Sequence, residues 1–305
     1  MLDTIKVENL VKKYGDLTAV DGVSFDIEKG EIFGLLGENG AGKTTTLEII
    51  EGLRRATSGK VTVLSEDVSG GCSDGVKQRI GVQLQSSAYY NFLTLKEIVD
   101  LFAGFYKKSI PTLELLKMVN LENKADSLVR NLSGGQRQRF SIVAALVNDP
   151  EIVFLDEPTT GLDPIARRKL WDIIVNIKKQ GKTIIITTHY MEEAEVLCDR
   201  IAIMDKGKIL KMGETHKLIE GTKNPYKISF VLGKPDGKEV ESLKDLGDLE
   251  NLAGKSNHYE MHLKSQLNVN KTIEILQKLN PESLTVGRAS LEDLFVELTG
   301  KNIEE

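Results

Sequence analysis

The sequence predicts an α/β domain built on a mostly parallel sheet, followed by a small α+β module. Three observations predict it: short apolar runs that end in polar residues, well-marked helices between them, and a cluster of chain breakers near residue 221. Ile32-Phe33-Gly34-Leu35-Leu36 runs into a glycine loop, and Ile152-Val153-Phe154-Leu155 runs into Asp156 and Glu157. Ile184-Ile185-Ile186 runs through two threonines to His189. Continuous apolar strands suit a sheet buried on both faces, which is usually parallel. Ligands gather at the carboxyl ends of such strands, so three distant segments are expected to meet at one edge.

The helices follow in chain order. From about 86 to 131 the chain reads as mostly helical, and Thr94 with Glu97 has the capping-box spacing for a helix over 95–106. The next helix starts at Ser133. Phe140, Val143, Ala144 and Val147 share one of its faces, and Asp149-Pro150 ends it. Asp163 caps a third, with Pro164 in the first turn and Leu170, Ile173, Ile174 and Ile177 on its apolar face. Lys178 and Lys179 complement its dipole, and Gly181 stops it. Past the breakers Gly221-Thr222-Lys223-Asn224-Pro225, the spans 226–232 and 259–263 read as strands. The spans 272–279 and 291–298 read as helices, and the tail carries no recognisable chemical motif. The expected division is a main domain over 1–220, with a helical subdomain at about 86–135, and an accessory module over 221–305.

Composition narrows the function classes. The 305 residues are 40% hydrophobic, enough for packed cores. A net charge of −5 gives no electrostatic footprint for nucleic acid, and no nucleic-acid partner is expected. No run approaches the ~18 apolar residues of a membrane span, and Met1-Leu2-Asp3-Thr4-Ile5 lacks a signal-peptide core. Cys72 and Cys198 read as two reduced thiols of a cytoplasmic protein rather than a disulfide framework. Any membrane role is therefore expected to come through a partner.

The glycine loop is the strongest chemical signal. Gly37-Glu38-Asn39-Gly40-Ala41-Gly42-Lys43-Thr44 fits the Walker A pattern between a strand and a helix, with Thr45 following. Glycines let the backbone wrap phosphates with several N–H groups turned inward, and the helix N-terminus favours the anion. Lys43 brings a positive charge to the outer phosphates, and Thr44 an oxygen for Mg2+. Asp156 can hold Mg2+ through water, Glu157 can act as general base, and His189 can donate to the γ-phosphate. Ser133, Gly134 and Gly135 at a helix start would make a second anion-binding site; the alternative is an ordinary helix cap.

Leu132-Ser133-Gly134-Gly135-Gln136 resembles the signature sequence of the ABC ATPase family, whose other motifs stand in order over approximately residues 4 to 220. Tyr14 resembles the aromatic that stacks on adenine, Gln85 the Q-loop glutamine that touches Mg2+, and His189 the switch histidine. Asp156-Glu157-Pro158-Thr159-Thr160-Gly161-Leu162-Asp163 is similar to Walker B, the catalytic Glu and the D-loop. The resemblance implies a P-loop NTPase fold and MgATP hydrolysis by a homodimer. Each copy would offer its signature, Ser133 to Gln136, to the other's ATP, and Asp163 of the D-loop is expected among the ATP-binding residues. It also implies an integral membrane permease, with the ATPase peripheral on the inner face of the cell membrane. Ser290-Leu291-Glu292-Asp293-Leu294-Phe295 resembles the terminal helix of ABC-2 type drug and polysaccharide exporter ATPases. That helix also reads as an ordinary amphipathic one capped by Ser290. It is the similarity of the whole module from near Gly221 to extensions of that group that favours export over import. A single Walker A and a single signature in one compact domain disfavour a soluble ATPase of DNA or ribosomes. The permease is expected to dock on the helical segment, where Tyr89, Tyr90 and Phe92 either line the contact or fill the core beneath Gln85.

Overall fold

The computed structural model describes residues 3–84, 89–233, 240–241, 243–251 and 257–300. The chain divides into two compact units, Met1–Gly213 and Glu214–Glu305. The first unit begins β1 (Asp3–Tyr14), β2 (Leu17–Glu28), β3 (Ile32–Leu36), α1 (Lys43–Ile50), β4 (Ser58–Val63), β5 (Glu66–Asp67), α2 (Asp74–Lys77) and β6 (Ile80–Gln83). It continues with α3 (Leu95–Ala103), α4 (Thr112–Met118), α5 (Gly134–Leu146), β7 (Ile152–Asp156), α6 (Pro164–Lys179), β8 (Thr183–Thr188), α7 (Met191–Leu197), β9 (Arg200–Asp205) and β10 (Lys208–Glu214).

The central sheet has the order β10-β9-β3-β8-β7-β6, and its β9-β3-β8-β7-β6 part is parallel. All residues of β3, β7 and β8 are buried, as continuous apolar runs between two covered faces require. Register aligns Leu36 with Thr188 and Asp156 with Thr187, so the carboxyl ends of the three strands lie side by side. That alignment positions everything described below.

A second, antiparallel sheet, β2-β1-β4-β5, was not predicted by the sequence. The reason is local. Ile5 and Val7 alternate with Lys6 and Glu8 as a half-buried strand should. Register shifts after Val7, where Asn9 is left-handed (φ 48°), and around Gly22 (φ 69°) then break the period. Phe25 stacks on Phe33 at 5.2 Å and ties this sheet to the central one.

The helices sit where their caps place them. The Glu97 N–H donates to Thr94 Oγ1 at 3.2 Å and the Thr94 N–H to Glu97 Oε2 at 2.8 Å. The α3 helix stops at Ala103, short of residue 106, because Gly104 is a poor helix former. The Ala166 N–H donates to Asp163 Oδ1 at 2.9 Å, with Pro164 in the first turn of α6. Tyr89 packs its ring 5.2 Å from the buried Phe140, whereas Tyr90 and Phe92 are 67% and 77% exposed. Of these aromatics Tyr89 thus joins the core, and Tyr90 and Phe92 remain on the surface.

The second unit contains α8 (Thr215–Glu220), β11 (Tyr226–Val231), β12 (Asp248–Asn251), β13 (His258–Leu263), α9 (Gln266–Leu279), β14 (Ser283–Arg288) and α10 (Leu291–Thr299). Its antiparallel sheet runs β12-β13-β11-β14. Ile228, Phe230, Met261 and Leu263 on one face bury Val269 and Leu276 of α9. The α9 helix starts six residues before the expected 272, because Ser265 accepts from the Asn268 N–H and caps a first turn that carries little apolar patterning.

The opposite face holds a charge cluster. Lys227 Nζ lies 2.6 Å from Glu260 Oε1 and 3.3 Å from Asp293 Oδ1, and His262 Nε2 lies 3.3 Å from Glu260 Oε1. The His262 contact holds the Glu260 carboxyl down at about 2, and Glu260 in turn raises His262 above its ordinary value. A depressed carboxylate stabilises above its unfolded value, and that stability is lost as pH falls through about 2. A raised His stabilises below its unfolded value near 6.5, and the contribution is lost as pH rises through the higher folded value. Calorimetric unfolding of this unit should therefore weaken on the alkaline side of pH ~6.5, and His262→Gln should abolish that slope. Identical profiles for the two proteins would remove His262 from the account.

Candidate functional site

The loop after β3 is shaped by glycine. Gly42 has φ 100° and caps α1, and a Cβ there would strike the Ala19 carbonyl. A Cβ on Gly37 would likewise strike the Met204 carbonyl. Lys43, in the first turn of α1, is 4% exposed, and its ammonium donates to the Gly37 carbonyl at 2.8 Å and the Glu38 carbonyl at 3.1 Å. It also lies 3.4 Å from Glu157 Oε1. Burial lowers the Lys43 pKa, with Glu157 opposing.

The end of β7 supplies the carboxylates. Thr44 Oγ1 donates to Asp156 Oδ1 at 3.3 Å, and Thr187 donates to the same oxygen. Asp156 is 4% exposed, and burial raises its pKa. Glu157 adopts φ 45°, a strained backbone for a side chain of its size. It is pinned by its N–H donating to Thr187 Oγ1 at 3.0 Å and by Thr160 Oγ1 donating to its Oε2 at 3.1 Å. His189 Nδ1 sits 3.3 Å from Glu157 Oε2, at ion-pair distance but without hydrogen-bond alignment.

The three strand ends thus bring Lys43, Thr44, Asp156, Glu157 and His189 together. A cavity of about 370 Å3 beside them is lined by Tyr14, Asn39, Gly40, Thr44, Thr45 and Glu157, among others. Lys12 and Arg54 both lie over the Tyr14 ring, at 5.1 and 5.4 Å. Ser133 to Gln136 do not line this cavity. They form a capping box, in which the Ser133 N–H donates to Gln136 Oε1 at 3.0 Å and the Gln136 N–H to Ser133 Oγ at 3.3 Å. Gly135 faces Ala166 of α6, whose cap is the exposed Asp163. Gln85 lies outside the described residues. The hydroxyl of Thr44 and the buried carboxylate of Asp156 form a hard-oxygen donor pair that fits Mg2+.

Two residues at this site escaped sequence reasoning. Thr187 holds both the Asp156 carboxylate and the Glu157 N–H, and its signal was a hydroxyl at the end of an apolar strand. Glu51 is 3% exposed, and neither carboxylate oxygen has a hydrogen-bond partner. Burial, with Asp156 and Glu48 adding repulsion, pushes its pKa up to about 8. It borders a cavity of about 960 Å3 whose rim carries the exposed Leu53 and Phe105.

Comparison with known proteins adds to this geometry. A family model described as ABC transporter matches residues 20–160. The chain is similar to a Nod factor export ATP-binding protein I of Burkholderia orbicola, at 37% identity over 99% of this chain and 98% of that protein. A protein of the same name from Ralstonia nicotianae is 41% identical over 70% of this chain and 68% of its own length. Among solved structures, the ATP-binding cassette MJ0796 as a post-hydrolysis dimer bound to ADP and Pi has a TM-score of 0.62. It is 30% identical and covers 69% of this chain and 98% of that one. The ADP conformation of MJ1267, an ATP-binding cassette of an ABC transporter, gives a TM-score of 0.63 at 26% identity, over 71% and 93% of the two chains.

Proposed function

Since this chain belongs to the ABC transporter family as an ATP-hydrolysing subunit, we propose that it energises export through a separate membrane permease, with Lys43, Asp156, Glu157 and His189 carrying the chemistry. The observation that carries this reading is the juxtaposition of Lys43, Glu157 and His189 at the ends of three parallel strands. Lys43 sits where its charge reaches the β- and γ-phosphates, exchanging the Gly37 and Glu38 carbonyls for phosphate oxygens. Glu157, fixed through Thr187 and Thr160, takes the proton of the attacking water as general base. His189, beside that carboxylate, donates toward the γ-phosphate as charge develops there. Tyr14 stacks on the adenine.

Thr44, Asp156 and Gln85 are the residues that would hold Mg2+, which when bound neutralises phosphate charge. The signature Ser133 to Gln136 opens α5 away from the chain's own nucleotide cavity, with the N–H groups of Gly134 and Gly135 outside its capping box and oriented for an anion. This supports a homodimer in which each copy's signature and Asp163 close over the other's ATP. Export is supported by similarity to export ATP-binding proteins over 99% of the chain, including the C-terminal unit.

No helix among the described residues is long and apolar enough to cross a membrane, so coupling needs a docking surface. The exposed Tyr90, Leu53 and Phe105 (67%, 62% and 69%) supply apolar contact area for a permease at the cytoplasmic face of the membrane. Affinity capture from detergent-solubilised host membranes should recover a polytopic membrane protein. Tyr90→Ala with Phe105→Ala should lower that recovery at least ~10-fold while ATP hydrolysis persists, as loss of two apolar anchors implies. Recovery of only ribosomes, DNA or soluble proteins would overturn the transport reading and leave the ATPase chemistry standing.

A further inference from the structure

The two edges of the C-terminal sheet differ in how they meet solvent. The β12 edge, Asp248–Asn251, carries Asp248 and Glu250, acidic side chains of the kind that keep an edge from pairing. The β14 edge has no charge between Glu282 and Arg288. It reads Ser283-Leu284-Thr285-Val286-Gly287, contains no proline, and is exposed at every position from 283 to 288 except the half-buried Leu284. Among the described residues no strand lies beyond it.

Its backbone is also oriented for pairing. The Ala289 N–H donates to the Pro225 carbonyl at 3.1 Å, and the register pairs Gly287 with Lys227 and Thr285 with Ser229. Bonded and non-bonded positions alternate along an antiparallel ladder, so the N–H and C=O groups of Leu284, Val286 and Arg288 point away from β11. Leu284 and Val286 stand opposite Phe230 and Ile228, hence on the apolar face of the sheet. At this edge the apolar face ends with Val286, 47% exposed.

We propose that β14 is a self-association edge, pairing antiparallel with β14 of a second copy about a twofold axis at Thr285, so that two C-terminal sheets become one of eight strands. The sequence selects this register. Thr285 meets Thr285 at a non-bonded position, and Leu284 covers Val286 of the second copy. Glu282 meets Arg288 at both ends, so each copy supplies both charges. The outward-facing groups of Leu284 and Val286 fall opposite one another in bonded pairs, whereas Glu282, whose N–H donates to the Val231 carbonyl at 2.8 Å, meets Arg288 through its side chain alone. Arg288 now makes only an exposed 3.3 Å pair with Glu220, which offers little resistance to exchange. So short a ladder buries far less than a standard interface, so the association is weak and adds to any nucleotide-dependent pairing rather than replacing it.

Full-length Thr285→Cys, kept free of nucleotide and mildly oxidised, tests the register. At a non-bonded antiparallel pair the two Cβ atoms come close enough for a disulfide. The cross-linked dimer should form at least ~10-fold faster than with Val286→Cys, which faces Leu284 instead. Equal rates for the two variants would overturn the proposal. Sedimentation without nucleotide gives the independent check. Arg288→Glu should weaken self-association about tenfold, and adding Glu282→Arg should restore it, as expected of opposite charges across a pair. A monomeric wild type, or a double variant as weak as the single one, would sink the edge pairing. The ATP-bridged dimer, read with nucleotide present, would be untouched by that failure.

Discussion

Glu157→Gln protein is expected to bind ATP about as tightly as the wild type, to turn it over at least ~10²-fold more slowly, and to accumulate as an ATP-bound dimer. The magnitude is that of losing a positioned general base, roughly 10² to 10⁴ in rate. Glutamine has nearly the shape of glutamate, so the donation from Thr160 and the anchoring of the backbone N–H on Thr187 survive. What disappears is the negative charge 3.4 Å from Lys43 and 3.3 Å from His189. Both side chains then have one fewer competitor for phosphate, so binding should hold or tighten while the proton acceptor is lost. In a head-to-tail pair the uncleaved γ-phosphate keeps the two copies together, and light scattering in ATP should show twice the monomer mass. A protein that stays monomeric would break the composite-site model. One that still turns over would remove Glu157 from the role of base.

The parts of this site that were legible in the sequence are those fixed by short-range covalent spacing. A phosphate loop must be contiguous, so the run from Gly37 to Thr45 announces itself, as does the carboxylate pair after an apolar strand. Helix caps were legible for the same reason: the bonds of Thr94 with Glu97 and of Ser133 with Gln136 span three residues. Features made by distant pairing were not. The antiparallel sheet hides behind two breaks in its alternation, at Asn9 and Gly22. Thr187 matters only because register sets it against Asp156. Glu51 reads as an ordinary helix-end carboxylate until tertiary packing buries it beside Asp156 and Glu48. The Lys227, Glu260, His262 and Asp293 cluster joins two strands and a helix that no motif links. The split between Tyr89 and Tyr90 is finer still, since adjacent residues point one into the core and one outward.

Lys43→Ala is expected to weaken ATP binding by at least ~10- to 100-fold, while the nucleotide-free protein unfolds at nearly the wild-type temperature. Hydrogen bonds to a charged partner contribute about 1.5–3 kcal/mol each, and about 1.4 kcal/mol is tenfold in affinity. The loss should lie at the upper end, because Asp156 and Glu157 would then face the phosphates without their cation. Without nucleotide, two effects oppose. Burial already disfavours the Lys43 ammonium, which lowers its pKa, so removing it relieves a desolvation cost. Its removal also leaves the Glu157 carboxylate, 6% exposed, with His189 as its nearest basic neighbour at 3.3 Å. Thermal unfolding with and without MgATP separates binding from folding. Wild type should gain stability with ligand as mass action requires, and the variant should gain almost none at the same concentration. A variant that still gains the full shift would show that the loop backbone alone holds the phosphates. A variant already unfolded without ligand would show that Lys43, through Gly37, Glu38 and Glu157, is chiefly a brace for the empty loop.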